Sequence, residues 1–455
     1  MFPKLKITFL VALPLFGMAV VLEAQSVQDP AQFVAHDPGV RPGPLGGGGS
    51  IAGLSRTERA FFLSGRDAFE EVQSVQGTIR GTEDGLGPRF NLDSCAGCHS
   101  QPATGGSSPF VNPQVEVATK AGAVNTVPFF VTINGPVREA RFRFKPDGTR
   151  DGGVHNLYTI AGRVDAPGCS LSQPDFDLAA AQYNLIFRIP APTFGAGLIE
   201  ATPDAEIIAN KNSDPEWKKA LGIQGHPNIS GNDGTIARFG WKAQNKSLEL
   251  FAGEAYNVEQ GVTNELFPHE RDETPECLFN ETPENMTNFR ARTRRGTLGD
   301  VTNFATFMRF LAPPTPVADT PSIIRGRALF RDVGCALCHT PFLTTGAAPS
   351  PALSGKQARL FSDLLLHKMG PGLADNIIQG NAGPDEFRTA PLWGLGKRIF
   401  FLHDGRTKNL VEAIQAHASP GDTEFPPSEA NAVIANFNGL DESEKQDILN
   451  FLRGL

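Results

Sequence analysis

The sequence predicts a mainly α-helical protein built from two tandem repeats, the first of which carries insertions that include a small β element. Three observations predict this fold class. A Cys-x-x-Cys-His pentad occurs twice, at residues 95–99 and 335–339. Short segments recur in the same order behind each pentad. Amphipathic helical patterns precede both pentads and close the chain.

The first residues predict a signal peptide that ends near residue 26. Lys4 and Lys6 give the positive charge that precedes an apolar stretch, residues 7–22, which is short for a membrane span. Small residues suited to cleavage follow at residues 24–26. No later segment is apolar for long enough to span a membrane. We therefore expect export to the periplasm and a protein that is soluble after the signal is removed.

Residues 27–54 are polar and rich in glycine and proline, which predicts a flexible lead-in. A helix is predicted from Ser55 to about Val72, with Phe61 and Phe69 on its apolar side. The first pentad follows soon after this helix.

Each pentad is typical of a c-type haem attachment site. Two thiols three residues apart can bond to the vinyl groups of haem while the adjacent histidine coordinates iron. A thioredoxin-like redox pair or half a zinc site would not account for the histidine in both pentads. The sequence therefore predicts two covalently bound haem c groups. The attachment residues are Cys95, Cys98, Cys335 and Cys338, and the axial ligands are His99 and His339.

The segments behind the pentads predict two homologous cytochrome c-type haem domains in tandem. Residues 188–197 match residues 388–396, and residues 239–248 match residues 401–410. We expect an N-terminal domain over 55–312 and a C-terminal domain over 318–455, joined by a proline-rich linker. The matching segments lie farther apart in the first half, which therefore carries two insertions of about 40 residues each.

Alternating stretches in the first insertion, residues 127–133 and 140–145 with a turn at 147–148, predict a β-hairpin. In the second half, a short amphipathic helix is predicted over 322–330. The last helix is predicted over 442–452, as suits the terminal helix of a cytochrome c domain.

The residue on the other side of each iron decides the chemistry, because a haem with two strong ligands transfers electrons and one with an open side can bind peroxide or oxygen. In the second half, Leu410, Ala413, Ile414 and His417 follow helical spacing. His417 is therefore our first candidate for the sixth ligand. Met369 and His403 are the rivals.

The repeat gives a control for the first half. Aligning Leu248 with Leu410 places Ala255 opposite His417 and Trp241 opposite His403. A methyl group cannot reach iron, so we expect the first haem to keep an open side and the second to be six-coordinate.

Several motifs together resemble the bacterial di-haem oxidoreductase family, which is related to di-haem cytochrome c peroxidases and to the di-haem enzyme that matures methylamine dehydrogenase. Besides the pentads, they are residues 85–91, 194–200, 238–243, 388–394 and 402–405. The resemblance covers about residues 50–455. It implies two cytochrome c domains, with a peroxidatic haem in the first and an electron-delivering haem in the second.

The resemblance also implies roles for single residues. Trp241 matches a tryptophan that relays electrons between the haems of the relatives, and His417 stands where they have Met or Tyr. Their distal acid lies about twenty residues beyond the tryptophan, an offset that gives Gly261 here, flanked by Glu259 and Glu265. We take Glu259 as the first candidate. The relatives' regulatory histidine and calcium site are not recognisable.

The leading hypothesis is a periplasmic di-haem peroxidase that reduces hydrogen peroxide at the first haem. A small donor protein, a cytochrome c or a cupredoxin, would supply electrons through the second haem. The net charge of −8 argues against nucleic acid and favours a basic partner. The alternatives are a di-haem oxidase or oxygenase that acts on an organic or protein substrate, and an electron-transfer cytochrome without enzymatic activity.

The two remaining cysteines are Cys169 and Cys277. Export permits a disulfide between them, and the alternative is a redox-active pair of thiols.

Overall fold

Short helices joined by long loops form most of the chain, and a computed structural model describes residues 33–290 and 297–455 of it. The helices are α1 (Arg56–Glu70), α2 (Cys95–Cys98), α3 (Gln114–Val117), α4 (Phe176–Ala181), α5 (Ala196–Glu200), α6 (Asp204–Lys211), α7 (Pro215–Leu221), α8 (Leu248–Gln260), α9 (Asp300–Phe310), α10 (Pro321–Asp332), α11 (Leu410–Gln415), α12 (Asn431–Asn438) and α13 (Glu442–Gly454). The strands are β1 (Arg89–Phe90), β2 (Glu139–Phe142), β3 (Val154–His155), β4 (Tyr158–Thr159), β5 (Leu185–Arg188), β6 (Asn228–Ile229), β7 (Ile236–Ala237), β8 (Leu343–Thr344), β9 (Gln357–Ala358), β10 (Leu366–Lys368) and β11 (Glu386–Arg388). The mainly helical class is confirmed. The predicted signal peptide, residues 1–26, lies outside the described residues.

The strands pair in small antiparallel sheets. β2 pairs with both β3 and β5, and in this three-stranded sheet Glu139 lies opposite Arg188. The other strands pair two by two, β1 with β4, β6 with β7, β8 with β9 and β10 with β11. The small β element predicted for the first half is therefore present.

The helix predicted before the first pentad is present as α1. Ser55 begins it with a capping box, in which the Glu58 carboxylate accepts a hydrogen bond from the Ser55 N–H at 2.7 Å. Phe62 and Phe69 are buried, and the Phe69 ring centre lies 4.9 Å from that of Phe307 in α9. The apolar face of α1 thus packs on α9.

Two helix pairs cross at glycines, one pair in each half. A Cβ atom added to Gly65 of α1 would lie 2.3 Å from the carbonyl oxygen of Asn303 in α9. A Cβ atom added to Gly326 of α10 would lie 1.9 Å from the carbonyl oxygen of Asp447 in α13. In each case the helix that precedes a pentad therefore touches the backbone of a later helix. α10 and α13 are the helices that the sequence predicts over 322–330 and 442–452.

Local geometry also repeats at the positions that the sequence comparison pairs. The Phe239 N–H donates to the Asn245 carbonyl at 2.9 Å, and the Phe401 N–H donates to the Thr407 carbonyl at 2.9 Å. α8 begins at Leu248 and α11 begins at the paired Leu410. The same loop and helix start therefore occur in both halves.

The predicted hairpin is correct in one strand and wrong in the other. β2 overlaps the predicted second stretch, beginning one residue before it, and pairs with β3 across the turn at 147–148. Residues 127–133 form no strand, and the Val131 N–H instead closes a turn on the Pro128 carbonyl at 2.9 Å. Proline lacks the N–H that a neighbouring strand would accept, which explains the difference.

The described part of the predicted lead-in is anchored to the rest of the chain. Residues Ala35–Leu455 form one compact unit. Within it, Asp37 forms an ion pair with Arg453 at 2.6 Å, and the Ile51 N–H donates to the Phe310 carbonyl at 2.7 Å. This part is therefore not the free chain that its glycine and proline content predicts. No helix among the described residues is both long and apolar enough to cross a membrane.

Candidate haem sites and the residues between them

Both pentads form tight helical turns that present their histidines to a cavity. In the first, Ser94 caps α2 by accepting the Gly97 N–H at 3.2 Å. In the second, a 3-10 turn follows Gly334, whose φ of 104° favours glycine. The four pentad cysteines form no disulfide and remain available for thioether bonds.

The cavity at the second pentad has a volume of about 220 Å³ and is lined by His339 and His417. The His339 Nδ1 atom lies 3.0 Å from the Phe361 carbonyl, and the His417 Nδ1 atom lies 2.8 Å from the Ala413 carbonyl. Such a bond fixes an imidazole and leaves Nε2 for a metal. Burial, and next the nearby His417, lower the pKa of His339 to about 4, so its imidazole is neutral.

His417 lies just beyond the helix on which the sequence places it. α11 ends at Gln415, and the His417 N–H donates to the Ile414 carbonyl at 3.1 Å in the turn that follows. The turn keeps the side chain on the predicted face because its ring still reaches the carbonyl of Ala413.

Three other side chains at this cavity could compete for iron. Met369 and His403 line its wall, as the sequence alternatives require. His367 also lines it, but its Nε2 atom lies 2.9 Å from Asp363 and its Nδ1 atom 2.8 Å from Glu429. Because both ring nitrogens are bonded to carboxylates, His367 is not a ligand in this arrangement.

Two buried arginines on the wall of this cavity fit the propionate groups of haem. Nε and Nη2 of Arg398 have no hydrogen-bond partner among the described residues. Burial lowers the pKa of Arg398 and of Arg388 to about 10. Unpartnered guanidinium nitrogens at an apolar cavity are costly unless a carboxylate meets them. The second site therefore has both the thiols and the cationic groups that haem needs.

The cavity at the first pentad has a volume of about 150 Å³ and is lined differently. The His99 Nδ1 atom lies 2.9 Å from the Gly106 carbonyl, which again leaves Nε2 for iron. Among the described lining residues, His99 is the only histidine. Ala255 and Glu259 are part of its wall. Nε of Arg138, also on this wall, lacks a partner among the described residues, so this cavity too offers a cation to a propionate.

Two further side chains at the first cavity, Met308 and Tyr256, are of types that coordinate haem iron in other proteins. Met308 of α9 lines it and belongs to the apolar core around Phe304. The Tyr256 hydroxyl lies 3.3 Å from the Asp300 carboxylate, and burial raises the pKa of Tyr256 well above its usual value. Tyr256 is thus a neutral phenol already engaged elsewhere, and Met308 is the one thioether on this wall among the described residues.

Glu259 is held at the first cavity by Asn91 and faces a second carboxyl group. The Asn91 side-chain amide donates to Glu259 Oε2 at 2.7 Å, and the Asn91 N–H donates to the Glu259 carbonyl at 2.7 Å. Glu139 of β2 lines the same cavity, close to Glu259. Burial, and next the charge of Glu139, raise the pKa of Glu259 well above its usual value. Gly261 ends α8 with a φ of 72°, and Glu265 lies exposed, outside the lining.

Trp241 borders both cavities. Its Nε1–H donates to the Ile189 carbonyl at 2.9 Å, which fixes the indole ring. The ring centre lies 6.4 Å from that of His403, and His403 stacks on Phe387 at 4.3 Å. Trp241 is therefore the aromatic residue through which the two cavities share a wall.

A buried ion network lies beside Trp241. Asp375 accepts from Arg188 Nη2 at 2.6 Å, and its other oxygen lies 3.0 Å from Lys242 Nζ. All three side chains are almost fully buried. This network joins β5 and the Trp241 loop to the second half of the chain.

Cys169 and Cys277 form a disulfide, so the alternative of a free thiol pair does not hold. The bridge connects segments 108 residues apart in the chain. Neither cysteine lines either cavity.

The residues that the sequence singled out line one or other of the two cavities, together with others that it did not single out. Trp241, Glu259 and His417 all line a cavity, with the pentad cysteines and histidines. Glu139 and Arg398 were missed. Glu139 carries no motif of its own, and its counterpart in the second half, opposite Arg388, is Leu366. Arg398 belongs to the second repeat but carries no motif of its own.

A sequence model of one protein family, described as di-haem oxidoreductase, putative peroxidase, matches residues 145–455. No curated protein sequence matches the chain. Among solved structures, hydrazine synthase from Kuenenia stuttgartiensis is 13% identical, with 99% of this chain and 100% of that chain covered and a TM-score of 0.36. The diheme peroxidase BthA from Burkholderia thailandensis is 15% identical, with 69% and 91% covered and a TM-score of 0.28. A MauG-like protein associated with microbial copper homeostasis is 14% identical, with 59% and 91% covered and a TM-score of 0.29.

Proposed function

The chain belongs to the di-haem oxidoreductase family, and we propose that it is an exported peroxidase that reduces hydrogen peroxide at a haem bound by the first pentad. Electrons enter through a second haem, bound by the second pentad. Each half of the chain then forms one cytochrome c-type domain, and thioether bonds from the pentad cysteines hold the haems.

The observation that carries this proposal is the difference between the two cavities. In the second, the imidazoles of His339 and His417 are both held by backbone carbonyls so that Nε2 is free. The first contains one imidazole, His99, and on α8 the small Ala255 with Glu259 one helical turn beyond. A haem in the second cavity is closed by protein ligands and suits electron transfer, whereas one in the first has room for a small substrate.

Bound haem would supply an iron centre that takes an oxygen of peroxide and stores oxidising equivalents. The residues of this chain would do the rest. Ala255 leaves space, and Glu259 moves a proton between the oxygens of peroxide as general acid and base. Trp241, fixed by Ile189, would carry electrons between the cavities.

The electron donor is a small redox protein, a cytochrome c or a cupredoxin. The net charge of −8 favours a donor with a basic docking face, because opposite charge speeds encounter at low ionic strength. Donor turnover should therefore slow as salt rises.

Electron paramagnetic resonance of the purified ferric protein tests the ligand assignment. We expect one high-spin signal from the first haem and one low-spin signal from the second. His417→Ala should convert the low-spin signal to high spin and leave the other unchanged. Ala255→His is the mirror-image variant, and it should convert the high-spin signal to low spin and stop the reaction with peroxide.

Two matched variants separate the rival ligands. Met369→Leu should leave the low-spin signal in place if His417 is the ligand, and Met308→Leu should leave the high-spin signal in place. Two low-spin signals with no reaction toward peroxide would instead indicate an electron-transfer cytochrome. Oxygen uptake with an organic substrate in place of peroxide turnover would indicate an oxidase.

A further inference from the structure

We propose that Glu139 and Glu259 share a single proton and act together as a proton-transfer pair at the first cavity. Glu139 is the positioning residue of this pair, because it acts through Glu259. The inference deepens the proposed function and rests on it, since the pair would serve the cleavage of peroxide.

The geometry brings the two carboxyl groups together from distant parts of the chain. Glu139 begins β2, and Glu259 lies in the last turn of α8. Both line the first cavity, and each lies close enough to shift the pKa of the other. Two carboxylates at this separation repel, so they are most stable with one proton between them.

The surrounding charges decide which member of the pair is ionised. Arg141 forms an ion pair with Glu139 and also donates to the Gly152 carbonyl at 2.9 Å. Arg188, opposite Glu139 in the sheet, faces it as a second cation. Glu259 instead accepts a hydrogen bond from the neutral side-chain amide of Asn91. The negative charge is therefore favoured on Glu139.

The remaining charged neighbour faces both carboxyl groups. Arg271 donates to the Val258 carbonyl at 2.9 Å and lies near enough to act on Glu139 and Glu259. Burial opposes ionisation of Glu139, but the positive charges of Arg141 and Arg188 outweigh it and lower its pKa. Burial and the charge of Glu139 raise the pKa of Glu259. These directions match a pair that holds its one proton on Glu259.

Such a pair can supply and recover a proton in one turnover step. Glu259 gives its proton to the outer oxygen of peroxide, the O–O bond breaks with its electron pair on that oxygen, and water leaves. The proton of the inner oxygen passes back to the carboxyl pair, which again holds one proton. Full reduction of peroxide to two waters takes two electrons and two protons: the donor protein would supply the electrons by way of the haems, solvent would supply the protons, and the inner oxygen leaves as the second water.

Glu139 comes from outside the part of the chain that the family match covers, which begins at residue 145. The register of β2 with β5 fixes it, since Glu139 is the partner of Arg188 in that sheet. β2 thus contributes the side chain of Glu139 to the chemistry of the first cavity.

Infrared difference spectra of the resting holoprotein, recorded through a pH titration without peroxide, test the shared proton. The difference between wild type and Glu259→Gln should contain a protonated carboxylic acid band that persists well above the usual pKa of a glutamic acid. The band of Glu284, whose pKa burial raises to about 8, should be present in both proteins and cancel in this difference. In Glu139→Gln, the loss of the neighbouring charge should move the titration of this band down by at least about one pH unit. Glu139→Asp, which keeps a carboxylate, should retain most of the wild-type titration. Glu265→Gln, which removes an exposed carboxylate outside the cavity, is the matched control.

The rate of the peroxide reaction provides the second readout. Its alkaline limb should move in Glu139→Gln in the same direction as the infrared band, with a rate at least about tenfold lower above the limb. A difference between wild type and Glu259→Gln that lacks this band, or a Glu139→Gln titration equal to that of wild type, would overturn the pair. If the infrared spectra give the expected result but the protein does not react with peroxide, the proposed function is overturned and the pair stands.

Discussion

Replacing Asp375 by asparagine should expose how strongly the two halves depend on the ion network beside Trp241. Asp375 and Lys242 have fully buried side chains, and Arg188 is 4% exposed. The substitution keeps the shape of the side chain but removes the carboxylate that pairs with two buried cations, Arg188 and Lys242. Breaking a buried ion pair in this way costs about 3–5 kcal/mol of unfolding free energy.

The pH dependence of this loss follows from Lys242. Burial lowers its pKa to about 8, below the unfolded value of 10.5. The unfolded chain therefore binds more protons between these values, and stability should rise with pH across that window as the buried charge is removed. Without Asp375 the window should begin at lower pH. The deficit of Asp375→Asn should thus be smaller at pH 9 than at pH 7.

Guanidinium unfolding of the holoprotein, followed by circular dichroism at both pH values, measures this loss. The double variant Asp375→Asn/Lys242→Met should lose less than the sum of the single variants by at least about 1 kcal/mol, because the two residues interact directly. Asp319→Asn is the control, since its ion pair with Arg327 is exposed and should contribute at most about 1 kcal/mol. A loss below about 1 kcal/mol for Asp375→Asn would refute the reasoning.

Two further predictions concern packing and pH. Gly326→Ala should destabilise the protein by at least about 1–3 kcal/mol, because its Cβ would lie 1.9 Å from the Asp447 carbonyl oxygen. Gly231→Ala is the control, since a Cβ there meets open space and should change stability little. Equal unfolding midpoints for the two variants would contradict the close crossing of α10 and α13. Burial, and next the charge of Asp84, raise the pKa of Glu284 to about 8, so its contribution to stability should be present below about pH 4.5 and be lost as pH rises toward 8. Glu284→Gln should therefore flatten the fall in thermal stability over that range by about 1–3 kcal/mol, and a pH profile equal to that of wild type would show that the carboxyl group is ionised in the folded protein.

The helices were predictable where amphipathic spacing continues along the whole helix. α1 and α13 have long amphipathic spacing and capping residues, and the structure forms them close to the predicted bounds. The stretch 127–133 has the alternation of a strand, but it has no partner strand and contains Pro128. Local alternation cannot tell whether a partner will be present, because pairing depends on residues far away in the chain.

The described part of the lead-in shows that composition, like local alternation, does not predict contacts with distant residues. Its composition predicts flexibility, yet Asp37 meets Arg453 at the far end of the chain. An ion pair between residues so distant in sequence leaves no periodic pattern that could predict it. Composition reports what a segment would do alone, and the remainder of the chain decides what it does.

The candidate acid shows which part of a site a sequence can reveal. An offset counted from Trp241 gives Gly261, but this residue ends α8 with a positive φ, and a Cβ there would lie 2.5 Å from the Arg89 carbonyl. Helical spacing from Ala255 gives Glu259 instead, since residues four apart lie on one face of a helix. That inference needs only α8 and the repeat. Glu139 could not be reached in this way, because its place beside Glu259 depends on the register of β2 with β5. In the second half β10 pairs with β11, and Leu366 lies opposite Arg388 as Glu139 lies opposite Arg188. If the pair shares a proton, the chemistry of the first cavity depends on a carboxylate where the second half has a leucine.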